Sequence, residues 1–286
     1  MSNSGPALNV FDYGDFRTYL NDWFAAKKEA NPRYSHRLFA RRVGSSNPSL
    51  LVNITSGRRN LTPDLVDAFV SALGLEDDAA TYFRLLVRFG QATDAEDRER
   101  AWGGITELRS RLRDPEVDSS RFLYLSDRIY PAIVALAQCA GFRPDPAWVA
   151  AQLRPPIPVE RAEEALGFLQ RIGFLVPEGD TLVPAEPVLH TTPNVALLGS
   201  YGYHKQTHDL AGALMERLWE QGSGVAAETA FLGLTVAVPE ERLGELRRLL
   251  WEAQVQVAHQ ARAWQDESDR VVQVTIQMYP VSARTT

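Results

Sequence analysis

The chain has 286 residues, of which 45% are hydrophobic and 23% charged, with a formal net charge of −6 and a single cysteine. These proportions describe an ordinary globular protein and exclude disordered and collagen-like chains, while the length allows two or three domains. The lone Cys139 excludes an internal disulfide and any multi-cysteine metal site.

The longest nearly apolar run, residues 129–137 (IYPAIVALA), is too short to span a bilayer. The opening MSNSGPALNV has no basic stretch followed by an apolar block, so no secretory signal is read and a cytoplasmic location is expected. The charge is unevenly spread. Residues 1–92 carry 11 Lys+Arg against 9 Asp+Glu, whereas residues 93–286 carry 19 against 27. Between Arg33 and Asn60 there are six arginines (Arg33, Arg37, Arg41, Arg42, Arg58, Arg59) and no acid. A small basic patch on an acidic protein can hold nucleic acid locally while the remainder repels it.

Residues 11–30 open with turn residues, then place Phe16, Tyr19, Leu20, Trp23 and Phe24 on one largely aromatic helical face, expected to be core. Asn31-Pro32 stops that helix. Ser35 caps a second helix with Leu38, Phe39 and Val43 inward and Arg37, Arg41 and Arg42 outward, closed by Gly44. Ser45-Ser46-Asn47-Pro48 is turn and restart, and the third helix runs to about Ser56 with Leu51 and Ile54 inward. Thr62-Pro63 begins a fourth helix ending at Gly74, and residues 77–89 make a fifth.

Five helices with a tight helix–glycine–turn–helix at the second and third positions fit a DNA-binding helix-turn-helix. Ala40, Gly44, Gly57-Arg58-Arg59-Asn60-Leu61 and Leu73-Gly74-Leu75 make residues 34–75 resemble the lambda-repressor-like DNA-binding domain. The turn before the third helix is one residue longer than that family's, with Pro48 in place of a polar residue. A helix of this size fits the major groove, its first residues at the base edges. Base contacts are therefore expected from Ser45, Ser46, Asn47, Ser49, Leu50 and Asn53, with Asn able to pair with adenine and Leu50 able to meet a thymine methyl. Phosphate contacts are expected from Arg37, Arg41, Arg42, Arg58, Arg59 and the adjoining Asn60.

Residues 93–120 read as a charged helical linker with a break at Gly103-Gly104. Residues 121–193 read as helix (124–140), helix from Asp145-Pro146, helix (158–172), then two extended pieces joined by Gly179-Asp180, the plan of a winged helix. Glu160, Glu163 and Glu164 would repel phosphates, so this segment is expected to be structural or dimer-forming. In residues 194–286, a helix from Tyr203 is followed by an alternating segment (231–238, FLGLTVAV). A long helix after Pro239 comes next, with Leu243, Leu246, Leu249 and Leu250 inward, then a second alternating segment (271–281, VVQVTIQMYPV). This predicts a β-α-β unit, whose two strands alone would be marginal and would need more from the wing or a second chain.

Phe11-Asp12-Tyr13, followed by Phe16-Arg17-Thr18-Tyr19-Leu20, and the tail from Val271 to Val281 also resemble an uncharacterised bacterial group of transcription regulators. That group ends in V-Y-Q-[LV]-x-I-Q-[LMF]-[FY]-P-[LV], and Val272 replaces its aromatic. The resemblance implies a helix-turn-helix followed by a C-terminal domain of unknown function, with no ligand or catalytic residue attached.

No catalytic constellation emerges, no cofactor is expected, and His204 and His208 at i,i+4 lack the Glu and third ligand of a metal motif. Cys139 reads as a small buried hydrophobe. The expected fold is mainly α with a smaller α+β part. It comprises a five-helix helix-turn-helix domain over 1–92, a linker over 93–120, a winged-helix-like domain over 121–193 and an α+β domain over 194–286. The expected function is a sequence-specific regulator, not an enzyme. It would bind double-stranded DNA as a homodimer and use its C-terminal region for dimerisation or for sensing an effector or protein partner. The alternative is an adaptor whose basic N-terminus binds an acidic partner.

Overall fold

The computed structural model describes residues 8–112, 119–185, 193–220 and 229–283. Among them are twelve α-helices and one two-stranded antiparallel sheet. In chain order the first seven helices are α1 (Phe16–Ala30), α2 (His36–Arg42), α3 (Leu50–Thr55), α4 (Pro63–Leu73), α5 (Asp77–Gln91), α6 (Ala95–Arg111) and α7 (Ser120–Ser126). They are followed by α8 (Ile129–Leu136), α9 (Pro146–Gln152), α10 (Val159–Arg171), β1 (Leu175–Glu178), β2 (Thr181–Pro184), α11 (Pro193–Glu220) and α12 (Leu243–Ala263). No described helix is long and apolar enough to cross a membrane.

The chain divides into two compact units, one of residues 1–127 with 188–204, the other of 128–187 with 205–286. In the first, Asp15 caps α1 by accepting from the Thr18 amide at 2.8 Å, and the aromatic stripe faces inward as its spacing predicts. Phe16 and Tyr19 both meet Phe83 of α5 edge-on, and Trp23 meets Phe39 of α2. Each fully buried ring contributes about 2–3 kcal/mol by leaving water, with edge-to-face geometry adding to it.

Two features of the helices depart from the sequence reading. α6 is one unbroken helix lying along α5, with no break at Gly103-Gly104. A Cβ at Gly104 would stand 2.8 Å from Leu85 Cδ2, so the absent side chain allows the close approach and no break is needed. The predicted 124–140 helix is two helices, α7 and α8, interrupted at Asp127 and Arg128.

In the second unit α8, α9 and α10 precede an antiparallel hairpin that pairs Leu175 with Pro184 and Glu178 with Thr181 across the Gly179-Asp180 turn. α9 packs on α10 and α10 on β1, in the helix–helix–helix–hairpin order expected. Asp145 caps α9, accepting from the Trp148 amide at 2.7 Å, with Pro146 at the first helical position. Glu160, Glu163 and Glu164 are exposed on α10.

The predicted β-α-β unit is not formed. Residues 231–238 and 271–281 join no sheet among the described residues, and α12 between them has no buried residue. Leu243, Leu246 and Leu250 are half-buried and Leu249 is exposed. A period-two pattern encodes a pleated, half-apolar segment, but the partner strand is a separate matter, and none is supplied among the described residues. The helix predicted from Tyr203 starts ten residues earlier, at Pro193.

Candidate nucleic-acid interface

Helices α2 and α3 are short, seven and six residues, and stand on a dense apolar floor. Phe39, Ala40, Val43, Leu51, Ile54 and Leu61 are all buried, and Phe39 meets Phe69 of α4 edge-on at 5.1 Å. Gly44 ends α2 at φ +73°, a conformation costly for any side chain. That turn lets the Ser45 amide donate to Ala40 O at 2.8 Å and the Gly44 amide to Arg41 O at 3.1 Å, which satisfies the last carbonyls of α2.

The joint between the helices is held by its own polar side chains. Ser45 Oγ accepts from the Asn47 amide at 3.1 Å, and Asn47 Oδ1 accepts from the Ser49 amide at 2.9 Å. Pro48 and Ser49 are therefore turn, and α3 begins at Leu50, not at Pro48. Asn47 is exposed and Asn53 half-buried; Asn47 Oδ1 accepts from the Ser49 amide and keeps a second lone pair, so both carboxamides retain an acceptor and a donor.

Two expectations are corrected by burial. Leu50 is 1% exposed, so it is floor and cannot meet a thymine methyl; Val52 is the exposed apolar side chain of α3. Leu38, expected inward, is 46% exposed. Helices of fewer than two turns leave periodicity too little length to choose a face.

After α3 the chain is tied down from two directions. Arg17 of α1 donates from Nε to Ile54 O and from a terminal nitrogen to Asn60 Oδ1, both at 3.1 Å, while its guanidinium covers the Phe16 ring at 4.4 Å. Gln91 of α5 grips Leu61 at both ends, accepting from its amide at 2.7 Å and donating to its carbonyl at 3.0 Å. Asn60 is thus a joint whose carbonyl oxygen is already used. Arg17, which the sequence reading passed over, sets the exit of α3. Its signal lay only in the aromatic-rich helix it belongs to.

Arg33, Arg37, Arg41, Arg42, Arg58 and Arg59 are all exposed, as are Ser46 and Ser49. None of the six arginines forms a salt bridge with a described residue. Elsewhere surface arginines are paired, as in Arg84–Asp67 at 2.9 Å, Arg88–Asp97 at 2.6 Å and Arg248–Glu252 at 2.6 Å.

His36, at the first turn of α2, stacks on Phe24 at 4.1 Å with 13° between ring planes, and its Nδ1 is buried without a described partner. Burial, with the Lys28 ammonium adding to it, holds the imidazole below its ordinary pKa. The native state then binds fewer protons here than the unfolded chain. This contribution to stability is complete above the unfolded value of about 6.5 and is lost as the pH falls from there through the lower folded value. Denaturation at pH 5, 6, 7 and 8 should show wild type losing more stability on acidification than His36→Phe. Parallel curves would contradict the assignment.

Among the described residues no group of three His, Cys, Asp or Glu side chains is placed to hold a metal ion. Burial raises the Cys139 thiol above its ordinary pKa, with Asp269 adding to it, so the group is disfavoured as a nucleophile.

The molecule is mainly helical, with one small sheet and a basic, acid-free pair of short helices near its N-terminus. The chain belongs to the family described as "Domain of unknown function (DUF4423)", whose model matches residues 109–281, more than half of its length. No curated protein and no solved structure matches it. The match agrees with the C-terminal domain of unknown function that the tail pattern implied. It begins at Arg109 in α6, so it includes α7 and the start of α11 in the first unit and leaves α1 to α5 outside it.

Proposed function

We propose that this protein is a sequence-specific DNA-binding transcription regulator whose reader is the α2–turn–α3 segment. One observation carries the reading. Six exposed arginines within 28 residues make no described ion pair, in a stretch without a single acid, on a chain of net charge −6. Unpaired like charges repel one another, and a polyanion relieves that repulsion. Arg58 and Arg59 hold phosphates beyond α3, Arg37, Arg41 and Arg42 hold them from α2, and Asn53, Ser46 and Ser49 face the bases. A single module of this size touches few base pairs, so the protein acts as a dimer on two half-sites. The winged-helix-like segment, with its acidic α10, is a spacer between reader and tail and does not read DNA.

In vitro site selection with the purified protein tests this, followed by titration of the selected DNA against Arg58→Ala/Arg59→Ala and Asn53→Ala. The arginine pair should weaken binding to every sequence by about tenfold or more and lower the slope of log K against log salt by about 2. Asn53→Ala should relax preference at one position by about 1–3 kcal/mol. If the selection returns no motif, or if the arginine variant keeps affinity and slope, the proposal fails. Binding to acidic polypeptides with equal strength would favour the adaptor reading.

A further inference from the structure

The C-terminal part of the second unit presents a surface that the folded single chain leaves in water. Residues 231–238 and 271–281 alternate apolar and small or polar side chains, yet join no sheet. Leu232 is 95% exposed and Leu234 86%, and the apolar face of the second segment, Val272 to Met278, is exposed as well. The 21-residue helix between them has no fully buried residue. From residue 231 onward, sixteen large apolar side chains are exposed. At roughly half to two-thirds of each, they leave on the order of 1,500 Å² of apolar surface in water. Isolated apolar side chains on a surface are ordinary, but a contiguous run of this size is an interface.

We propose that the occupant of this surface is a second copy of the chain, and that the two extended segments of each copy pair with those of the other. The result is a four-stranded intermolecular sheet whose apolar face is covered by the two α12 helices. Three observations favour a copy over a partner of different chemistry. First, neither segment contains an Asp, Glu, Lys, Arg or His, so identical strands meet without like-charge repulsion. No charged side chain discourages pairing, and Pro280, which has no amide to donate, limits the second strand to residues 271–279. Second, two strands in water are marginal whereas four with a helix-covered face are stable, and doubling the chain supplies that number. Third, the exposed apolar area exceeds the ~800 Å² per partner of a standard interface and falls in the range of obligate homodimers.

The second segment is also held in place: the Ala140 amide donates to Ser268 O at 2.8 Å, three residues before the segment, and the Gln277 side chain within it reaches His208 of α11. The pairing rests on the dimer of the proposed function and gives it a surface; it is tested without DNA, so a failure to bind DNA leaves it standing.

The test is solution mass without DNA, by light scattering and sedimentation of the full chain at micromolar concentration, together with hydrogen exchange. The expected mass is twice 31.9 kDa. Amides of 231–238 and 271–281 should be protected, and the protection should be lost on dilution. Leu232→Glu/Leu234→Glu replaces side chains already exposed in the single chain, so its helical content should match wild type. It should raise the dissociation constant at least about tenfold, because two negative clusters then face each other. Should that variant not fold, the concentration dependence of exchange in wild type decides alone. Three outcomes overturn the proposal. These are a wild-type monomer, a dimer whose two segments exchange freely, and protection that does not change with dilution and so marks pairing within one chain.

Discussion

Replacing Arg109 with methionine is expected to cost about 3 kcal/mol of stability, close to the largest single-residue effect in the molecule. Arg109 is 1% exposed. Its Nε and a terminal nitrogen both donate to Tyr82 Oη, at 3.2 and 2.8 Å, and a terminal nitrogen donates to Phe11 O. Tyr82 in turn donates to Tyr13 O at 2.8 Å. The guanidinium lies against the Tyr82 and Phe122 rings, at 4.9 and 4.8 Å from their centroids. One cation therefore joins the segment before α1, α5, α6 and α7. Methionine fills the volume but leaves the Phe11 carbonyl and the Tyr82 oxygen short of a donor in a place water does not reach.

Arg109→Lys keeps the charge but not the fork, and it should fall between the two. Tyr82→Phe should cost less than Arg109→Met, and the double variant less than the sum, because both break one network. Denaturant midpoints measure the loss, and hydrogen exchange of the α5 and α6 amides localises it. A cost under about 1 kcal/mol for Arg109→Met would show that the network contributes little.

The second large effect comes from a methyl group. At Gly202 in α11 an added Cβ would stand 2.4 Å from the Ser126 carbonyl oxygen and 2.6 Å from Trp102 Cζ2. Neither neighbour is the end of a flexible chain: one is backbone and the other a ring packed against Phe122 and Tyr201. Gly202→Ala should cost about 3 kcal/mol, at the upper end for overpacking, and Gly202→Val more. Gly199→Ala, 3.0 Å from Phe122 O, should cost about 1 kcal/mol. Gly212→Ala in the same helix meets nothing within 4 Å and should stabilise by about 0.5–1 kcal/mol, because helix propensity then acts alone. Thermal midpoints of the three variants give the comparison. Equal shifts at positions 202 and 212 would refute the close-packing account.

These two sites show where the sequence stops being readable. In the chain, Gly202 carries no sign of the ring and carbonyl it packs against, and Arg109 is one more charge on a charged helix. Each acquires its role from partners tens of residues away, and Arg109 from one 98 residues distant. Asn60 likewise gains a structural contact that its neighbours in the chain do not show, because Arg17, 43 residues earlier, reaches it. Leu50 was misread for a related reason: a six-residue helix does not show its buried face until it is docked.

By itself the sequence determined whatever neighbours within a few residues enforce. The caps at Asp15, Ser35 and Asp145, the glycine stop after α2, the aromatic stripe of α1 and the hairpin around Gly179-Asp180 follow from local hydrogen bonding and periodicity. So does the acid-free run of six arginines, since charge is a property of composition. Only the tertiary structure decided which faces are buried, that α6 lies along α5, and that the two C-terminal apolar segments find no strand partner among the described residues. Burial and strand pairing depend on what is brought alongside, and a one-dimensional pattern specifies a face without specifying what covers it.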